Sequence, residues 1–256
     1  MTATEFFDGI TQFETTFEGH KGKTPTFYYD TTQIAAAFLT PLDRIRELLP
    51  DERVRPLRAT RKSGITIVTG YDYRDTDIGP YREVLIGFPV AVGERSPIGA
   101  GLRRFMMRGG PIWIWQLPVT TETARDLGIG IAGYPKFLAE IEVRSDDGMA
   151  VCRLREGDSE ILTLRVKHRS PRKVDGRMYY EPITMRGTRL LRSSVVAGYP
   201  QQARSVAGRG VTLAVGEHPI GKQIRDLELG RAVMGMYAPD CRFILSTPLE
   251  GWPIGE

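Results

Sequence analysis

Apolar residues along this chain recur mostly at every second position or in short unbroken runs, and only briefly at the three-to-four-residue spacing of helices. The two-residue period, rich in β-branched and aromatic side chains, predicts strands over 64–71, 81–90, 111–117, 179–186, 189–197, 209–216 and 232–246. Phe27-Tyr28-Tyr29-Asp30 predicts another. From Phe137 to Arg169 the pattern is that of a meander of three strands. Asp146-Asp147-Gly148 and Glu156-Gly157-Asp158 form its turns, and Val151, Leu154, Ile161, Leu164 and Val166 are its core positions. Helical spacing occurs three times. Thr40-Pro41 opens a helix whose stripe is Leu42, Ile45, Leu48 and Leu49, with Pro50 as its stop. Thr120 to Gly128 reads as a short capped helix ending at glycine, and Pro219 to Leu227 as another short helix. The first 25 residues have little periodicity, and His20-Lys21-Gly22-Lys23 reads as a solvated turn. Residues 91–110 and 170–178 read as loops.

Many short strands and few helices predict an α+β fold that is mainly antiparallel β, its sheet closed or nearly closed on itself. The 256 residues suit a single domain spanning 1–256, without internal repeats. A net charge of +4 is small for this length, and basic and acidic residues are interspersed, which argues against a nucleic-acid partner. No apolar run is long enough for a bilayer, and Met1 to Ile10 carries Glu5 and Asp8 without a basic residue, unlike a secretory signal. Cys152 and Cys241 are isolated, and His20, His168 and His218 lack the spacing of a zinc site. A cytoplasmic protein without metal or cofactor is the expectation.

One lysine stands out. Of Lys21, Lys23, Lys62, Lys136, Lys167, Lys173 and Lys222, only Lys136 lies between a glycine-broken apolar run and a strand-like segment. A buried ammonium is costly and tends to shed its proton, and the free amine is a nucleophile towards carbonyl carbon. Neutrality at pH 7, from an ordinary amine pKa of ~10.4, costs about 4 kcal/mol, which full burial can supply. The competing reading is a lysine that lays its stem on apolar surface and snorkels to water. On spacing alone that second reading is the stronger.

Gly133-Tyr134-Pro135-Lys136-Phe137-Leu138, preceded by Arg125-Asp126-Leu127-Gly128, resembles the Schiff-base lysine segment of the acetoacetate decarboxylase superfamily. Leu48-Leu49-Pro50, Asp75-Thr76, Gly79-Pro80-Tyr81-Arg82-Glu83 and Pro239-Asp240-Cys241-Arg242-Phe243 resemble the family in the same order. The resemblance reverses the odds for Lys136. It implies a cone-like β-barrel with additional sheet and short helices, a homo-oligomer, and a Schiff-base lyase acting on a small keto acid. Decarboxylation is slightly favoured over aldolase-dehydratase chemistry through the same lysine, and a non-catalytic small-ligand barrel is the alternative of a different class.

Glu83, which by its alternation with apolar neighbours alone reads as a solvent-facing strand glutamate, is then the candidate acid-base. An ionised Glu83 close to Lys136 would favour the ammonium, so either the two stay apart at rest or burial protonates Glu83. Phe137 stands where acetoacetate decarboxylase has a second lysine and is a candidate substrate contact. The family's pocket arginine falls at Thr31 and its other glutamate near Thr69, while the glutamine of the aldolase-dehydratases falls at Ala132. Tyr237 is a candidate pocket hydroxyl, with core packing as the other reading. Arg104, among the arginines that interleave Phe105, Met106 and Met107, is a candidate lid residue for an anionic substrate; an oligomer contact or exposed loop is the other reading. Trp113 and Trp115 share one strand face as core or interface.

Overall fold

The computed structural model describes residues 3–93 and 97–253. In chain order the elements are α1 (Ala3–Phe7), β1 (Phe13–Phe17), β2 (His20–Thr24), β3 (Thr26–Pro41), α2 (Leu42–Arg46), β4 (Val54–Pro56), β5 (Ser63–Thr76) and β6 (Tyr81–Val92). There follow α3 (Ala100–Arg108), β7 (Pro111–Gln116), α4 (Glu122–Ala132), β8 (Glu140–Asp146), β9 (Met149–Glu156) and β10 (Ser159–Lys167). The last are β11 (Arg172–Arg186), β12 (Arg189–Val206), β13 (Val211–Val215), α5 (Pro219–Asp226) and β14 (Ala232–Pro253).

Eight strands form one sheet in the order β4-β6-β5-β3-β14-β12-β11-β7, and β7 pairs back onto β6. That pairing nearly closes a barrel of the seven strands from β6 round to β7, antiparallel except where β7 meets β11. A second sheet, β13-β10-β9-β8, covers part of its outside. The strand β3 explains how the two fit. Ile34, Ala36 and Phe38 face the second sheet and pack with Cys152, Leu154 and Leu164, whereas Ala35 and Ala37 face the barrel side. A strand buried on both faces reads as an unbroken apolar run and loses its alternation.

The expected meander is present as β8 to β10, and all five of its proposed core residues are buried. Trp113 is buried in the core, and Trp115 packs on Phe88 with ring centroids 5.9 Å apart.

Several boundaries differ from the sequence reading. Residues 20–23 belong to a hairpin strand, paired with β1, and are no solvated turn. Thr40 does not cap a helix. Its hydroxyl lies 2.7 Å from that of Thr66 inside the sheet, so the helix starts one residue after Pro41, without a side-chain cap, and stops at Arg46. The 91–110 stretch contains α3, and residues 94–96 lie outside the described residues. The 170–178 stretch is largely strand, because β11 starts at Arg172 and pairs there with β12. Finally, α4 passes through Gly128 and ends at Gly133, whose left-handed φ of 61° and close approach to the Met185 carbonyl leave no room for a Cβ.

Candidate functional site

The barrel holds a cavity of about 140 Å³. Lys136 reaches it by a short ladder of backbone hydrogen bonds. The Val119 amide donates to the Phe137 carbonyl and the Ala139 amide to the Val119 carbonyl, each at 2.9 Å, while the Val84 amide donates to the Pro118 carbonyl at 3.0 Å. Residues 117–119 thus tie the lysine segment to β6, and Lys136 faces Glu83 across them. The Lys136 Nζ lies 2.8 Å from Glu83 Oε2, and the two side chains are only 6% and 8% exposed. Separation at rest, one of the two arrangements expected, is not what is found. The pair is in contact, and both members line the cavity.

A shell of tyrosines surrounds the pair. The Tyr73 hydroxyl donates to Glu83 Oε1 at 3.2 Å, and the Tyr28 and Tyr81 hydroxyls are 3.2 Å apart. Lys136 Nζ stands 5.5 Å from the Tyr81 ring centre and 5.6 Å from that of Tyr134, within cation–π reach. Burial, reinforced by the Glu83 charge, pushes the hydroxyls of Tyr28, Tyr73, Tyr81 and Tyr134 well above their ordinary range. They remain proton donors throughout the neutral range. Glu83 therefore keeps one oxygen on a neutral donor and turns the other to the amine.

Position on alternating strands sorts the remaining candidates. Phe137 follows Lys136 on extended backbone, so its ring points the other way, into the core against the second sheet. Tyr237 follows cavity-lining Met236 on β14 but points to the opposite face, where it stacks on His168 with ring centres 4.1 Å apart. Arg104 is exposed on α3 and borders a separate surface cleft, whereas its neighbours Phe105 and Met106 line the cavity. None of these three side chains shares the cavity with Lys136. Of the positions where family residues are replaced, Thr69 lines the cavity, while Thr31 is fully buried outside its lining.

Sequence reasoning passed over the tyrosine shell and Arg204, which lines the cavity from β12. Tyr81 and Tyr134 each precede a site residue by two positions, and a period-two reading could have found them. Arg204 carries no such signal.

The acetoacetate decarboxylase family model matches residues 15–238. The chain belongs to the acetoacetate decarboxylase family. A solved acetoacetate decarboxylase superposes with a TM-score of 0.62 at 15% identity, covering 90% of this chain and 89% of its own. The acetoacetate decarboxylase of Legionella pneumophila subsp. pneumophila str. Philadelphia 1 gives 0.61 at 15% identity, with coverages of 88% and 86%. The enduracididine biosynthesis enzyme MppR, complexed with pyruvate, gives 0.62 at 11% identity and 89% of each chain. At such identities the likeness establishes the family's barrel in this chain and leaves the reaction to the site. No curated protein matches the sequence. Among the described residues no helix is long and apolar enough to cross a membrane, and no cluster of three or more His, Cys, Asp or Glu side chains is disposed to hold a metal.

Proposed function

We propose that this protein is a Schiff-base-forming lyase that decarboxylates a keto acid through Lys136, with Glu83 moving the protons. The observation that carries this reading is the buried 2.8 Å contact between amine and carboxylate on the wall of a closed-in cavity. Glu83 takes one ammonium proton. The freed amine attacks the ketone carbon, and Glu83 returns the proton as the carbinolamine oxygen leaves in water. The resulting iminium draws in the electron pair of the bond to the carboxylate, carbon dioxide departs, and an enamine remains. Glu83, reprotonated by solvent, protonates the enamine carbon; water then hydrolyses the iminium and releases the product ketone.

The surroundings favour loss of the carboxylate. The walls next to the pair are tyrosine rings and aliphatic side chains, which solvate a carboxylate poorly and neutral carbon dioxide well. The second lysine of acetoacetate decarboxylase has no counterpart in the cavity, since Phe137 faces the core. Burial and the Glu83 contact are left to prepare the amine.

Aldol-type condensation is the second reading. MppR, of the same fold, is described in complex with pyruvate, a keto acid with no β-carboxylate to lose. Sodium borohydride in the presence of acetoacetate or pyruvate tests the shared step: a stable adduct mass on the Lys136 peptide supports it. Failure across a panel of keto acids with folded protein would leave a non-catalytic ligand barrel. Carbon dioxide release against aldehyde consumption then separates the two reactions.

A further inference from the structure

Besides the Lys136–Glu83 pair, one ionisable side chain other than tyrosine lines the cavity: the guanidinium of Arg204. Its place on the wall follows from the strand ring. From β6, which carries Glu83, Arg204 on β12 is four steps away through β5, β3 and β14, and three steps away through β7 and β11. On a seven-stranded ring these are opposite walls. Within β12, Arg204 pairs with Met236 in a stretch that β11 does not flank, since the β11 pairing ends at Gln202. Arg204 is exposed there, with its Nε donating to the Gln202 side-chain oxygen at 2.8 Å. Among the described residues no carboxylate lies within ion-pair distance of it. Burial raises the Tyr180 hydroxyl and the Arg204 charge pulls it back, which places the guanidinium's field on the cavity lining.

Much of the remaining lining is apolar and adaptable, with Met178, Met234, Met236, Ile67 and Leu85, while its uncharged polar groups include Gln33, Thr69, Tyr71 and Tyr180. The two walls differ in what they accept. Among the described residues the only carboxylate lining the cavity beside Lys136 is Glu83's, and no second cation lines it there. At Arg204 an exposed guanidinium, without a carboxylate partner among the described residues, lines the cavity. A substrate with its carbonyl on Lys136 can therefore place a charged group at the far wall only if an apolar spacer separates the two.

We propose that Arg204 is the specificity residue for a second, distal carboxylate, so that the substrate is a 3-oxo dicarboxylic acid whose chain spans the barrel. This rests on the Schiff-base reading of Lys136. The carboxylate β to the ketone leaves as carbon dioxide, as described above, and the distal one stays on the guanidinium and is retained in the product.

The test compares 3-oxo diacids of graded chain length with 3-oxo monoacids of equal length, by borohydride trapping and carbon dioxide release. The expected result is a preference for a diacid of about tenfold, the scale of one charge-assisted hydrogen bond at a partly solvated site. Arg204→Gln should collapse that ratio to near one, and Arg204→Lys should restore part of it. An unchanged ratio in Arg204→Gln, or no diacid preference in the unmodified protein, overturns the assignment. If the protein traps no keto acid at all, the Schiff-base reading fails by itself. Calorimetric titration with octanoate and octanamide, which carry no ketone, then still reads Arg204. Loss of octanoate affinity alone in Arg204→Gln upholds the anion site, and equal affinities overturn it.

Discussion

Gly128 tests the site with one methyl group. It lies within α4, and a Cβ built there would stand 2.6 Å from Lys136 Cδ, 2.7 Å from Cε and 3.2 Å from Nζ. Two of these distances are shorter than real carbon contacts, so in Gly128→Ala the lysine stem must move. Helix propensity pulls the other way, because alanine is favoured over glycine in a helix interior by about 1 kcal/mol. If the displaced amine loses its 2.8 Å contact, Glu83 is left buried without its cation. Breaking a buried pair by removing one partner costs about 3–5 kcal/mol. The expected net effect is a loss of roughly 2–4 kcal/mol, against a gain of about 1 kcal/mol if the helix alone responded.

The chemical effect should be the larger one. A misplacement of about 1 Å in a reacting group costs on the order of 10²-fold in rate. Borohydride trapping with a keto acid, followed by mass analysis of the Lys136 peptide, reads the amine directly, and urea unfolding reads stability. Lys136→Ala supplies the baseline. Trapping at the unmodified rate together with a stability gain of about 1 kcal/mol would refute the reasoning, since the helix would then have accepted the methyl group without touching the lysine.

Two further outcomes follow from the same contacts. Lys136→Met is expected to destabilise by about 3–5 kcal/mol by orphaning the carboxylate, and adding Glu83→Gln should recover most of that loss in urea unfolding; additive losses would count against the coupling. Eight tyrosines, Tyr28, Tyr29, Tyr71, Tyr73, Tyr81, Tyr134, Tyr180 and Tyr199, have hydroxyls held above the ordinary range, chiefly by burial. The folded state keeps these protons where the unfolded chain releases them. Stability is therefore full below about pH 10 and falls as pH rises through the folded values, about 12 for Tyr29 and higher for its more deeply buried neighbours. Ultraviolet titration should show these eight hydroxyls ionising above about pH 10 and together with unfolding; their ionisation in an earlier step of the folded protein would contradict this.

The parts of this molecule that could be read from its residues are those governed by local rules. The β8–β10 meander has two turn signals and one-sided burial, and its five core positions are where the alternation puts them. Lys136 and Glu83 were legible through motif resemblance, 53 residues apart, and their meeting depends on the backbone ladder through residues 117–119. Where burial is two-sided the signal vanishes. Residues 33–39 of β3 show neither period, and the Thr40-Pro41 dipeptide imitates a helix start although Thr40 is still in the sheet. Phe137 and Tyr237 show the opposite failure: proximity in sequence to the right residue put each on the wrong face, because one step along a strand reverses the side chain. Arg204 was invisible for a third reason. Its relation to Lys136 exists only once seven strands close, and no window of sequence contains that closure.

The contact between Lys136 and Glu83 also says why such a pair is kept. Buried ion pairs are weak sources of stability, because desolvating both charges offsets much of their attraction, and well-packed apolar residues often do as well. A pair retained on the wall of a cavity, with one oxygen on a neutral tyrosine donor, is better suited to passing a proton than to holding the barrel together. On the proposed reading, the carboxylate in contact with the amine in the resting protein is also the group placed to remove its proton when a carbonyl arrives. The tension between a nearby acid and a reactive amine then becomes a division in time. On the same reading the pair is closed at rest, and with a ketone present the proton crosses the 2.8 Å contact from Nζ to Oε2, so that the nucleophile is made where it is needed. That reading gives Glu83→Gln a definite sign: the amide still accepts from Tyr73 but cannot take the proton, so trapping should slow by about 10²–10⁴-fold while the fold persists. A glutamine variant that forms the adduct as fast as the unmodified protein would mean that burial alone prepares the amine.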